Sequence, residues 1–360
     1  MGEGDKGEGD RNRISKLGTI GHPTHIGTMA KLGDWVEPHP HGLYVKPADL
    51  WVDPARPSPV ALVTHGHADH ARGGHGAVWA TPETLAIMET RYGPQAGHPI
   101  AYGDSHRFGE VTATFVPAGH VLGSAQILLE YRGERIVVSG DYKRRADPTC
   151  APFEPVQCDV FITEATFGLP VFRHPDTGDE IDKLTSALHA NPARCVLVGA
   201  YALGKAQRVI AELRARGHDA PIYIHGALER LCALYEEHGV ALGELRPATS
   251  ASKAEMMAHI VLAPPGALAD RWSRRLPDPI TAMASGSMRV RQRAVQRGVE
   301  RPLILSDHAD WDELTDTLTE IAPREVWVTH GREDALVHWC QTHQIKARAL
   351  ALLGFEDEDD

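Results

Sequence analysis

Cysteine, aromatic side chains and long apolar runs are all scarce in this 360-residue chain, and it carries no surplus of positive charge. The five cysteines, Cys150, Cys158, Cys195, Cys232 and Cys340, are an odd number without CxxC pairing. That excludes a disulfide framework or thiolate zinc knuckle and predicts free thiols in a reducing cytoplasm. No apolar run approaches the length of a membrane span. Residues 1–16 are rich in Gly and charge, so no signal peptide is expected and residues 1–18 read as a disordered arm. The formal charge of −11 argues against a broad basic face that coats nucleic acid. Part of that excess is an acidic tail, residues 355–360, expected to be solvated. Bound divalent cations would add positive charge locally, so global charge says little about a site.

Histidine is abundant instead, with 21 in the chain. The densest cluster is Thr64-His65-Gly66-His67-Ala68-Asp69-His70, directly after the apolar run Val60–Val63. Imidazole and carboxylate hold zinc-like ions with a coordination position left open for hydrolysis. Alternate spacing sends His65 and His67 to one side of a chain leaving a strand, and Asp69 and His70 can turn toward a second position. By contrast, His22, His25, His39 and His41 lie among Gly and Pro without such spacing and read as solvated loop residues.

Short strands separated by turns are expected from Leu43 to about Ala165: Leu50–Val52, Val60–Val63, Thr112–Val116, a hairpin over 127–131 and 135–139, and Asp159–Thr163. A helix is expected from Pro82 to Met88. Asp53, His65, His67, His120, Asp141 and Glu164 each follow the end of an apolar strand, the pattern of a site built at one rim of a sheet. After Glu164 the texture becomes α/β, in the rhythm of a doubly wound unit: helices over 181–188, 204–216 and 228–238 alternate with strands over 195–198 and 221–224. This reads as a domain inserted into the first, because metal-type residues return in Ser306-Asp307-His308-Ala309-Asp310 and Thr329-His330-Gly331.

A catalytic two-metal centre needs three or four protein ligands per ion, a bridging group and an open position. His65, His67 and His120 supply one site; Asp69, His70 and His330 supply the second; Asp141 is the candidate bridge. Eight arginines between Arg271 and Arg301, against only Asp278 and Glu300, form a local basic excess. There Ser285, Gly286 and Ser287 could offer amides and hydroxyls to phosphate, with Arg289 and Arg291 beside them, or the arginines could simply be the wet face of a helix. Lys143, Arg144 and Arg145 could also line the cleft, whereas Lys205 carries too little signal to assign.

The chain resembles the metallo-β-lactamase fold, and specifically its β-CASP nuclease branch. Asp53 matches the first motif, His65-x-His67-x-Asp69-His70 the second, His120 the third and Asp141 the fourth. Glu164, His308 and His330 look like motifs A, B and C of the branch. The resemblance covers about residues 33–354. It implies an αββα sandwich holding an inserted α/β domain, with two divalent ions (Zn2+ first, Mn2+ second). It divides the chain into a first sandwich part at 19–168, an insert at 169–300 and a sandwich return at 301–354. Segments 285–291, 305–311 and 326–331 resemble the bacterial ligase-associated DNA exonucleases, which are similar to SNM-type repair nucleases and encoded beside an ATP-dependent DNA ligase and a helicase.

The implied reaction is phosphodiester hydrolysis of DNA, with 5′-to-3′ digestion favoured. Residues implied to be catalytic are His308, Glu164, Asp53 and Asp69: His308 stabilises charge or protonates the leaving oxygen, Glu164 orients His308, and Asp53 fixes a liganding histidine. One departure pulls the other way: a histidine at motif C, as His330 is, is typical of RNA-processing members, so RNA processing stands as the alternative. A small-molecule hydrolase on the same scaffold would leave the insert and His308 unexplained. A non-catalytic scaffold subunit would be expected to lack ligands that are all present here.

Overall fold

Period-two apolar stripes in the first half of the chain fold into two facing sheets in the computed structural model, which describes Met1 and residues 32–350. The expected arm at 1–18, the acidic tail, His22 and His25 lie outside the described residues. The first sheet runs β1 (Val36–His39), β2 (Gly42–Val45), β3 (Leu50–Val52), β4 (Val60–Leu62), β5 (Ala77–Ala80) and β6 (Gly97–Pro99), in that spatial order. The chain then forms β7 (Ser105–Phe108), β8 (Val111–Pro117), β9 (Ala125–Tyr131), β10 (Glu134–Val138) and β11 (Val160–Ala165). In β8 every second residue is buried, as a strand with one wet face requires. β11 is buried throughout, as a parallel strand covered on both faces should be.

A third sheet follows: β12 (Val196–Gly199), β13 (Ile222–Ile224), β14 (Leu245–Pro247), β15 (Ile260–Ala263), β16 (Ile280–Ala284) and β17 (Arg301–Leu303). Its pairings are parallel, in the order β14-β13-β15-β12-β16-β17. Finally β18 (Glu325–Gly331) and β19 (Lys346–Ala349) return to the second sheet, ordered β19-β18-β11-β10-β9-β8-β7.

The helices are α1 (Pro82–Tyr92), α2 (Thr177–Ala190), α3 (Lys205–Ala215), α4 (Gly226–Glu237), α5 (Lys253–Met256), α6 (Arg291–Gln296), α7 (Trp311–Ile321) and α8 (Glu333–Thr342). One core lies between the first two sheets, from Leu50 and Leu62 on one side to Phe115, Ile127 and Ile162 on the other. Ile87 and Met88 of α1 are buried, and Met88 packs on the outer face of the first sheet with Ala61 and Val78. Leu314 and Leu318 of α7, with Leu336 and Cys340 of α8, pack on the outer face of the second with Phe161 and Val328. These layers are the αββα sandwich, and the third sheet is the inserted α/β unit. No helix among the described residues is long and apolar enough to cross a membrane.

Two details differ from the sequence expectation. The inserted sheet carries α2, α3 and α4 together on one face. Its other face is covered by the one-turn α5, the short turns at 265–268, 271–275 and 286–289, and the short α6. Prolines 264, 265, 277 and 279 fall in that stretch, and proline stops a longer helix there. In addition, 301–303 was expected in the sandwich but pairs with β16 of the insert.

Candidate metal centre

Each candidate donor follows an ordered strand. His65, His67 and His70 leave β4, His120 lies after β8, Asp141 after β10, Glu164 at the end of β11 and His330 at the end of β18. His308 lies in the loop between β17 and α7. Gly140 permits the turn that aims Asp141: its φ is +55°, and a Cβ there would sit 2.7 Å from that of Thr64.

The donors converge as three groups, in each of which the ligand atoms lie within 4.8 Å of one another. His65, His67, His120 and Asp141 form the first; His70, Asp141 and His330 the second; Asp141, Glu164 and His308 the third. Asp141 belongs to all three. Asp69 stands beside the second group, 3.5 Å from His70 Nε2, rather than inside it.

Hydrogen bonds on the far side of each ring decide which nitrogen faces inward. Thr64 Oγ1 donates to Asp53 Oδ2 at 2.6 Å, so it accepts from His65 Nδ1 at 3.0 Å. His70 Nδ1 donates to Asp53 Oδ2 at 2.8 Å, and His120 Nδ1 to the Asp307 carbonyl at 2.8 Å. His67 Nε2 donates to the Leu203 carbonyl at 3.3 Å. A ring held by one nitrogen presents the other to a cation. Asp53 also accepts from the Thr64 amide at 2.8 Å, so one buried carboxylate orients two histidine rings from a left-handed backbone position with φ +46°.

These residues fit divalent cations on three observations. His65 Nε2 and Asp141 Oδ1 are buried and complete no hydrogen bond among the described residues. His120 Nε2 and His67 Nδ1 face each other at 2.9 Å, with their other nitrogens already donating. Burial, helped by the neighbouring imidazoles, pushes His65 down to about 4 and His120 well below the usual histidine value, so both rings are neutral as ligands must be.

In the second group, burial opposes charge on His70. The carboxylates of Asp141, Asp69 and Asp53 outweigh it and raise His70 to about 10. Burial likewise acts to raise Asp141, but His70, His308, His330 and His65 hold it well below the usual carboxylate range.

Glu164 is fully buried. Its Oε1 accepts from the Tyr142 amide at 2.8 Å and its Oε2 from His308 Nδ1 at 3.0 Å. His308 thus meets the orienting carboxylate expected of it.

The expected phosphate contacts fare differently. Ser285 and Ser287 are fully buried, with their hydroxyls 2.7 Å apart and the Ser287 amide donating to Ser285 Oγ. A Cβ on Gly286 would collide with the Phe167 ring. Of the five residues expected there, only Arg289 and Arg291 are exposed. Lys143, Arg144 and Arg145 are held by protein partners: Lys143 by Asp147 at 2.7 Å, Arg144 by Glu320 at 2.6 Å and Arg145 by Asp310.

Sequence reasoning missed the cations behind the site. Arg208 is almost completely buried, donating to the Ser306 carbonyl and lying 3.3 Å from Asp307 Oδ1 and 3.4 Å from Asp147 Oδ2. Lys205 is buried 3.6 Å from Asp307 Oδ2. Helical periodicity marks both only as polar positions, and nothing in the local sequence signals their distant carboxylates. The five cysteines are free, and burial raises their thiols to about 11 or 12, as expected of structural residues.

A sandwich with donors gathered at one strand-end rim is the arrangement of the metallo-β-lactamase fold. No family model matches the chain. Among curated proteins it is 29% identical over 304 residues to a probable DNA ligase of Opitutus terrae, covering 82% of this chain and 29% of that one. A ribonuclease of Thermus thermophilus is 28% identical, with 82% of this chain and 86% of its own covered. Subunit 3-I of the cleavage and polyadenylation specificity factor of Arabidopsis thaliana is 25% identical, covering 77% and 52%. The chain therefore spans less than a third of the ligase and about half of the plant subunit. Among solved structures, a protein of unknown function from Enterococcus faecalis shares the fold, with a TM-score of 0.52, 15% identity and 80% and 78% coverage. The relatives that the chain resembles in sequence are members of the β-CASP branch of the metallo-β-lactamase fold.

Proposed function

We propose that this protein is a metal-dependent nuclease that hydrolyses phosphodiester bonds, with DNA as the favoured substrate. The observation that carries the reading is the single buried carboxylate of Asp141 shared by both histidine groups and by the Glu164–His308 pair. In this assignment His65, His67, His120 and Asp141 hold one ion, and His70, His330 and Asp141 hold the other, with Asp69 alongside. Divalent cations there, Zn2+ first and Mn2+ second, would supply Lewis acidity toward a phosphoryl oxygen and lower the pKa of water.

The chain's own residues do the rest. Asp53 locks the His65 loop and His70 in one tautomer. Glu164 accepts the Nδ1 proton of His308, which places His308 to deliver a proton from Nε2 to the departing oxygen. Arg289 and Arg291, exposed just after the buried Ser285–Ser287 turn, supply charge to the backbone of the bound strand.

The DNA reading is supported by the likeness to a ligase-named protein over 82% of this chain. Exonucleolytic digestion from the 5′ end, a role in DNA repair alongside a ligase and a helicase, and a cytoplasmic setting complete it. The ribonuclease of Thermus thermophilus, most of whose length is spanned, supports RNA cleavage as the second reading. We divide the chain so that the insert closes after Leu303, because β17 pairs within it. The test is purified protein with Zn2+ or Mn2+ on matched single-stranded DNA and RNA labelled at opposite ends. Faster DNA shortening from the 5′ end supports the first reading, RNA cleavage alone the second, and turnover of esters or lactams with no strand cleaved rejects both.

A further inference from the structure

Beside the first histidine group the chain has a cavity of about 240 Å3 that the mechanism above does not use. Its lining comes from Arg91 in the last turn of α1, His67, residues 201–203 before α3, and Leu231 of α4. The wall shared with the centre is His67 itself, so the cavity opens directly beside the candidate reaction site. Leu203 and Leu231 are buried and make an apolar surface, whereas the Tyr201 ring is half-buried. Arg91 is exposed, and its Nη1 donates to the Gly66 carbonyl at 2.8 Å, which ties its positive charge to the His65–His70 loop.

The loop that brings Tyr201 here is tightly fixed. Gly204 has φ +84°, and a Cβ there would strike Val121. Lys205 lies 5.9 Å from the Tyr201 ring centroid and is itself held near Asp307. The cavity is smaller than the roughly 300–1,000 Å3 of drug-sized sites, leaving room for one flat ring system. An aromatic ring, two leucines and a cation at the rim match a nucleobase carrying its phosphate. Stacking on such a ring tolerates any base, because every base has a π-face.

We propose that this cavity is a nucleobase subsite: the base next to the scissile phosphate enters beside His67 and stacks on Tyr201, with its phosphate turned toward Arg91. The proposal rests on the nuclease reading for its substrate class, but strand binding tests it separately from cleavage.

Fluorescence anisotropy on the full-length protein would compare two labelled strands of equal length, both phosphorothioate-linked to resist cutting. One is oligothymidylate and the other an abasic deoxyribose strand. The parent protein is expected to bind the thymidine strand about tenfold more tightly. Tyr201→Ala should remove most of that preference, Tyr201→Phe should keep it, and Arg91→Ala should weaken both strands alike. A parent without base preference, or a Tyr201→Ala variant that retains the parent's preference, overturns the subsite. If base preference follows Tyr201 while no ordinary DNA or RNA strand is cut with Zn2+ or Mn2+, the nuclease reading falls and the subsite stands.

Discussion

The Asp307 carbonyl accepts the Nδ1 proton of His120 at 2.8 Å across 187 residues of sequence. Strand β17 of the insert ends four residues before Asp307, so the insert's return loop sets the tautomer of a candidate ligand in the sandwich. Lys205 and Arg208 of α3 hold that loop from behind through the Asp307 carboxylate, and Arg208 also holds it through the Ser306 carbonyl.

Arg208→Leu should therefore destabilise the fold strongly. It leaves Asp147 and Asp307 buried without their shared guanidinium, and breaking such a buried pair costs about 3–5 kcal/mol. The urea midpoint of parent and variant measures it. A loss below about 1 kcal/mol would show that the network is not supporting the domain junction.

Asp141→Ala and His67→Ala should each reduce cleavage by at least about a thousandfold, on the several kcal/mol that metal-assisted charge stabilisation supplies. The far-ultraviolet circular dichroism should be unchanged. Bound metal per chain, counted by plasma mass spectrometry, should fall in both variants. Near-normal activity in either one would contradict the ligand assignment.

His308→Ala should behave differently. Cleavage should slow by about 10²–10⁴-fold, the range of a lost general acid, with metal content preserved. Glu164→Gln should also slow the reaction, because its single amide oxygen can accept from His308 Nδ1 only with the amide nitrogen turned onto the Tyr142 N–H, and it carries no charge. If the alanine variant loses an equivalent of metal, His308 belongs among the ligands, as its place beside Asp141 in the third group would then explain.

The metal-free protein should show a pH signature from His70. Its folded value of about 10 is above the unfolded 6.5. A raised cation contributes stability fully present below about pH 6.5 and lost as pH rises toward 10. The chelator-treated protein should thus lose stability across that window, as read by thermal melting. For the same reason, Zn2+ uptake near pH 7 must displace a proton from His70. Calorimetry in buffers of different ionisation enthalpy should find about one proton released, and none released would place His70 outside the ligand set.

Much of the site was legible because its donors are tied to strand ends. His65, His67, Asp141 and Glu164 follow apolar runs that could be read locally, and those runs became β4, β10 and β11 nearly as expected. His120 and His330 were legible for the same reason, after β8 and at the end of β18. The short polar strands β6 and β7 escaped, since Gly97–Pro99 is wholly exposed and offers no apolar alternation. So did the placing of all the long helices of the insert on one face, which depends on prolines breaking what would otherwise be a crossover helix.

Ser285 and Ser287 mark the limit on the other side. A Ser-Gly-Ser turn beside arginines has the composition of a phosphate cradle, yet burial against Phe167 turns the hydroxyls onto each other. Composition alone cannot report which way a turn faces.

The sequence by itself determined the candidate donors and the order in which strands deliver them, because ligand type and strand period are local properties. Only the tertiary structure decided that Asp141 serves three groups at once, and that Asp69 stands to one side. It also decided that α3 buries Lys205 and Arg208 against Asp307 and Asp147. Burying a cation is favourable only where carboxylates from elsewhere in the chain meet it, and that meeting exists only in the folded molecule.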